Sequence, residues 1–263
     1  MKVALVSRSR ASDLSLRALA DLASVMWEQT LDYLLVGGHM VAIHTHLAGV
    51  FDRVPLRETA DADAGVPKTA TAADDLVRLV TALAERGYRQ TSGDRFTRDQ
   101  GGVVAIDVVL PALRSRRRRN VTVGPITAVE AGGLSYALGQ PPVIVTVEAL
   151  LLDGSRLPVF DIRLPTLHAA LALKAFAWAD RGEARDAIDV HRLLVAAAAT
   201  GPTVEDWTST VSLRGAQLIL RRDFGRVIGS GCKAAAVESD VRAMIAVTTV
   251  SVIGPPPSAA KRC

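Results

Sequence analysis

Cysteine is nearly absent from this chain. Of 263 residues only Cys232 and the terminal Cys263 are cysteines. Two cysteines so placed supply neither a disulfide framework nor the paired spacing of a zinc site. Long apolar runs are missing too. None approaches the roughly 18 residues that a membrane helix needs, and the opening Met1-Lys2-Val3-Ala4-Leu5-Val6-Ser7-Arg8-Ser9-Arg10 holds too short an apolar stretch for a secretory signal. A reducing cytoplasm is the expected location, with no membrane partner. Internal repeats are also absent, and the length suits one large globular domain or two small ones.

The residues that are present describe a water-soluble globular chain: 49% are hydrophobic and 22% charged. The formal net charge of +4 and a pI near 9.4 permit a nucleic-acid partner without demanding one. Basic residues cluster densely once, at Arg114-Ser115-Arg116-Arg117-Arg118-Arg119. Such a run reads either as a solvated loop or, with a polynucleotide partner, as a phosphate-backbone contact.

Periodicity predicts a helix over residues 14–30 capped by Ser12 or Asp13, with Leu16, Leu19, Ala20, Ala23 and Met26 as its apolar stripe. A short strand at 33–36 turns at Gly37-Gly38 into a second helix reaching Gly49. Strands are expected at 59–66 and 103–110, a helix from Asp74-Asp75 to Arg86, and a hairpin around Ser92-Gly93-Asp94. Residues 121–161 read as further strands. After Pro165 the pattern becomes helical: 166–180 and 183–199, broken at Gly182, then 204–211 and 237–247. The expected division is an α/β domain at 1–163, a helical domain at 164–253 and a disordered tail at 254–263.

The chemistry-bearing residues begin with Asp61 and Asp63. On an extended strand, side chains two apart point the same way, so these carboxylates project together. Held that close they repel unless a cation lies between them, and a divalent metal carrying a polyphosphate is the usual partner for oxygen-only ligands. Asp107 sits in the apolar run Val103 to Leu110, which reads as a strand buried on both faces. A carboxylate there should be paired or metal-bound. The plainer readings are an aspartate pair in a solvated turn and an Asp107 facing water at a strand end.

Lys174 is the second focus. It lies eight residues before Gly182, and Asp189 seven after, so at about 1.5 Å per residue the two reach nearly the same height in an antiparallel helix pair. Flanked by Leu171, Leu173, Ala175 and Phe176, it needs a carboxylate or a phosphate. A purely structural bridge between the helices satisfies the same pattern. His39, His44 and His46 form no convincing zinc site, since on a helix His44 and His46 diverge by about 200°.

Four blocks in order resemble a known family: Gly37-Gly38 after an apolar strand; Arg57-x-Thr59-x-Asp61-x-Asp63; Lys174 within a helix; and Arg185-Asp186-Ala187-Ile188-Asp189. The chain resembles the polymerase-β-like nucleotidyltransferase superfamily, and within it the AbiEii/MenT-type toxin branch of bacterial toxin–antitoxin pairs. The matched blocks span residues 34–194. The resemblance implies an α+β fold, a mixed sheet with helices followed by a C-terminal helical region. It implies transfer of a nucleoside monophosphate from an NTP to a hydroxyl, with Mg2+ or Mn2+ held by Asp61, Asp63 and Asp107. Gly37, Gly38, Arg57, Thr59 and Lys174 would meet the nucleotide, and Asp186 or Asp189 would orient Lys174. It further implies tRNA, at its 3′ end, as the acceptor through Arg116, Arg117, Arg118 and Arg119, and a cognate antitoxin as partner. The alternatives are transfer to a protein or small-molecule hydroxyl, and a nucleotide-binding protein without turnover.

Overall fold

The computed structural model describes residues 1–55, 57–69, 71–112, 120–201, 207 and 210–254. The arginine run at 114–119, most of the helix expected at 204–211, and the tail beyond Gly254 lie outside the described residues.

In chain order the elements are β1 (Lys2–Val6), α1 (Arg10–Glu28), β2 (Leu34–Val36), α2 (Gly37–Leu47), β3 (Asp61–Gly65), α3 (Ala72–Glu85), β4 (Arg89–Gln90), β5 (Arg95–Asp99) and β6 (Val103–Pro111). They continue with β7 (Asn120–Val123), β8 (Ile126–Ala131), α4 (Leu134–Leu138), β9 (Val143–Leu150) and β10 (Phe160–Leu164). The helical remainder is α5 (Leu167–Arg181), α6 (Ala184–Thr200), α7 (Val211–Asp223), α8 (Ser230–Ala235) and α9 (Ser239–Ile253). This is the α+β architecture expected, a mixed sheet followed by helices.

The main sheet runs β2-β3-β6-β5-β4, with β8 pairing β6 and β7 pairing β8. β3 is antiparallel to β2 and parallel to β6, while β5 is antiparallel to β6. Ala62, Ala64, Ile106 and Val108 point to one face and are fully buried, where α1 packs across β3 and β6. Alternation sends Asp61, Asp63 and Asp107 to the other face. One apolar face therefore anchors the strands, and the acidic face is left for chemistry.

Several boundaries differ from expectation. α1 begins four residues earlier, because Ser9, not Ser12 or Asp13, accepts the backbone N–H of Ser12 and caps the helix. β6 is not buried on both faces, since Asp107 and Val109 are only half-buried. β1 was not expected; it pairs in parallel with β9, which also takes β10 as an antiparallel neighbour. α7 and α8 were likewise unexpected. Gly182 breaks α5 from α6 as foreseen, in the left-handed conformation at φ +66° that favours glycine. A continuous core of buried side chains joins α5–α9 to the strands, from Val3 to Ile253.

Candidate active site

Cross-strand register builds the site. Val36 pairs with Asp63, Asp63 with Asp107, and Asp107 with Arg95, so one row across four strands places these side chains side by side. Asp61 lies two residues before Asp63, on the same face. Arg95 then bridges two of the acids, its Nη1 donating to Asp107 Oδ2 at 2.9 Å and its Nη2 to Asp61 Oδ2 at 3.4 Å. Thr59 donates its hydroxyl to Asp61 Oδ1 at 3.4 Å.

At the row's end the chain leaves β2 and turns straight into α2. Gly37 makes that turn at φ +69°, and a Cβ there would stand 1.8 Å from Asp63 Oδ2. A Cβ on Gly38 would meet Thr59 Oγ1 at 2.6 Å and Arg57 Nη1 at 2.8 Å. The left-handed backbone favours glycine at Gly37, and at either position a Cβ would displace the side chains that face it. The first turn of α2, whose N–H groups have no partner within the helix, thus lies against the acidic strand.

The electrostatics follow from crowding. Burial and the neighbouring Asp61 push Asp63 up to about 6. Burial, Asp63 and Asp61 push Asp107 up to about 7, against the opposing pull of Arg95. Asp107 Oδ1 is buried and has no hydrogen-bond partner among the described residues. A buried acceptor without a donor beside two more carboxylates fits a divalent cation with a preference for oxygen. Among the described residues, however, no three His, Cys, Asp or Glu side chains stand converged as a finished cage; Arg95 lies between two of them.

Helices α5 and α6 supply the opposite wall. Lys174 Nζ forms an ion pair with Asp189 Oδ2 at 2.8 Å, and Arg57 Nη1 donates to Asp189 Oδ1 at 3.2 Å. Asp189 is fully buried and so carries two cations. Asp186 takes a different partner. It receives a two-pronged bond from Arg181, with Nε to Oδ2 at 2.8 Å and Nη2 to Oδ1. Of the two orienting residues expected for Lys174, the structure brings up Asp189; Asp186 sits one turn nearer the helix break and is occupied.

Nine of the ten residues expected to act on nucleotide or metal line one cavity of about 340 Å3. The tenth, Asp189, stands behind Arg57 and Lys174. Sequence reasoning missed Arg95 and Arg181, which line the same cavity. Arg181 had a signal, one residue before the helix-breaking glycine. Arg95 had none, because its place opposite Asp107 depends on the hairpin register. The histidines are structural. His39 Nε2 donates to the Ser15 carbonyl and His44 Nε2 to the Pro165 carbonyl, burial pushing both down to about 4. His46 stacks on Phe51.

No curated protein matches the chain. A nucleotidyltransferase-like antigenic protein from Paracoccidioides brasiliensis is similar in structure at 14% identity, covering 92% of this chain and 94% of that one with a TM-score of 0.47. A STING-associated CdnE c-di-GMP synthase from Capnocytophaga granulosa is similar at 8% identity, covering 91% and 80% with a TM-score of 0.27. The family model described as nucleotidyl transferase AbiEii toxin, type IV TA system, matches residues 45–225. That span takes in β3, β6, α5 and α6 with every acidic residue of the site, and the chain belongs to the AbiEii family of nucleotidyltransferase toxins.

Proposed function

We propose that the protein transfers a nucleoside monophosphate from an NTP to the 3′ end of an RNA, tRNA foremost, using a divalent metal held by Asp61, Asp63 and Asp107. The observation that carries this reading is the register of Asp63 with Asp107 beside Gly37, whose left-handed backbone and close approach to Asp63 favour glycine. Magnesium or manganese, when bound, lowers the pKa of the attacking hydroxyl and neutralises the leaving pyrophosphate.

The chain's own groups do the rest. N–H groups at the start of α2 receive triphosphate oxygens, since a helix N-terminus favours anions. Lys174 donates to a phosphate, and Asp189 holds both Lys174 and Arg57 facing the cavity. Thr59 steadies Asp61. Asp107, in register with Asp63 on the same sheet face, accepts the proton of the acceptor hydroxyl.

The acceptor rests on family likeness and on the run Arg116-Arg117-Arg118-Arg119, which would add salt-sensitive phosphate contacts. A cognate antitoxin is the expected partner. Incubation with labelled NTP, magnesium and cell lysate, followed by ribonuclease or protease, identifies the acceptor. Label lost to ribonuclease and retained after protease supports RNA; the reverse moves the acceptor to a protein hydroxyl.

A further inference from the structure

The fold leaves Arg95 in a place the transfer reaction does not explain. Its guanidinium is bound to the Oδ2 atoms of Asp61 and Asp107, two of the three carboxylates read above as metal ligands. Among the described residues it has no other acceptor. Its side chain is 39% exposed, so it can leave without opening the core. Asp63, in the same row, has no cation within hydrogen-bonding distance among the described residues.

We propose that Arg95 is a displaceable placeholder cation: it neutralises Asp61 and Asp107 in the metal-free protein and is expelled when a divalent ion takes those oxygens. The inference rests on the metal-site reading. A divalent ion held by Asp61 and Asp107 would compete with Arg95 for these carboxylates, and a guanidinium next to a dication is repelled. The weaker of its two bonds, at 3.4 Å to Asp61, is the one to yield first. Arg95 thereby keeps three acids on one sheet face tolerable before loading, and sets a threshold that metal must overcome. The competing account makes Arg95 a fixed cross-strand bridge that stays with Asp107 throughout.

The two accounts separate on how Arg95→Met behaves with and without metal. Mn2+ affinity is measured by calorimetry without nucleotide, and thermal unfolding is followed in chelator and in saturating Mn2+. Arg95→Lys is measured alongside, because lysine keeps the charge and loses the two-pronged bridge. Displacement predicts that Arg95→Met melts lower than wild type in chelator and that this penalty disappears in saturating Mn2+. Loss of two partly exposed pairs corresponds to an affinity gain of about tenfold, and Arg95→Lys should move the same way by a smaller factor. An equal melting penalty in both conditions with unchanged affinity overturns displacement. So does a gain confined to Arg95→Met, which marks a charge acting through space. Both of those outcomes leave the metal site standing. Failure of the wild type itself to bind Mn2+ overturns the metal-site reading and this inference together. Should Arg95→Met not fold, Arg95→Lys carries the same comparison.

Discussion

Asp63 lies half-buried beside Asp61 and Asp107, with no cation in hydrogen-bonding distance among the described residues. A carboxylate raised from 3.8 to about 6 in the fold binds protons more tightly folded than unfolded. Its stabilising effect is complete below pH 3.8 and is lost as pH rises through about 6. Asp107, raised to about 7, extends that window upward. The metal-free protein should therefore lose stability between about pH 4 and 8 through this pair, and Asp63→Asn should flatten the loss while abolishing transfer. A gain on the order of 1 kcal/mol for Asp63→Asn at pH 7.5 is expected, read by chemical unfolding in chelator at several pH values. A variant less stable than wild type at every pH contradicts the crowding. Lys174 poses the opposite case, since Asp189 is fully buried and shares Lys174 with Arg57. Lys174→Ala leaves Arg57 as a partner, so its cost should stay below the roughly 3–5 kcal/mol of a fully stranded buried charge, with NTP KM raised or kcat lowered. Unchanged kinetics with a large fall in melting temperature would assign Lys174 to structure alone.

Among the elements, the turn from β2 into α2 is the most constrained. Gly37→Ala should cost about 1–2 kcal/mol from the left-handed backbone alone, and its Cβ would also drive Asp63 out of the row. Activity should fall further than stability does; near-wild-type turnover would show that Asp63 need not lie where it does. The sequence made this turn visible because two glycines between an apolar strand and a helix have few other uses. The Lys174–Asp189 pair was equally legible, since Gly182 sets the fold-back point and the rise per residue fixes the heights. Less could be read where partners are distant. β1 closes against β9 some 140 residues later, a pairing that no local pattern in Lys2–Val6 announces. In α7 the buried stripe Leu213, Ala216, Gln217 and Leu220 is interleaved with Arg214, Gly215, Arg221 and Arg222, which blurs the period. Arg95 stayed hidden for the related reason that one shift in the hairpin register would have turned it to the other face.

Across the whole molecule, the sheet, α2 and the α5–α6 pair meet at one cavity, where acids on the sheet face Lys174, Arg57 and Arg181 on the other side. That opposition of charge suits a triphosphate carried by a divalent cation, and membership of the AbiEii family gives the reaction class. Among the described residues no helix is long and apolar enough to cross a membrane. The central claim is that nucleotidyl transfer occurs through the Asp61–Asp63–Asp107 row. Its most direct test follows label from NTP radiolabelled at the α-phosphate, and separately at the γ-phosphate, into total RNA with magnesium present, for wild type and Asp63→Asn. The account predicts acceptor labelled from the α-phosphate alone, one pyrophosphate released per transfer, and no labelling by Asp63→Asn. Label arriving from the γ-phosphate, or equal α-labelling by Asp63→Asn, would contradict it.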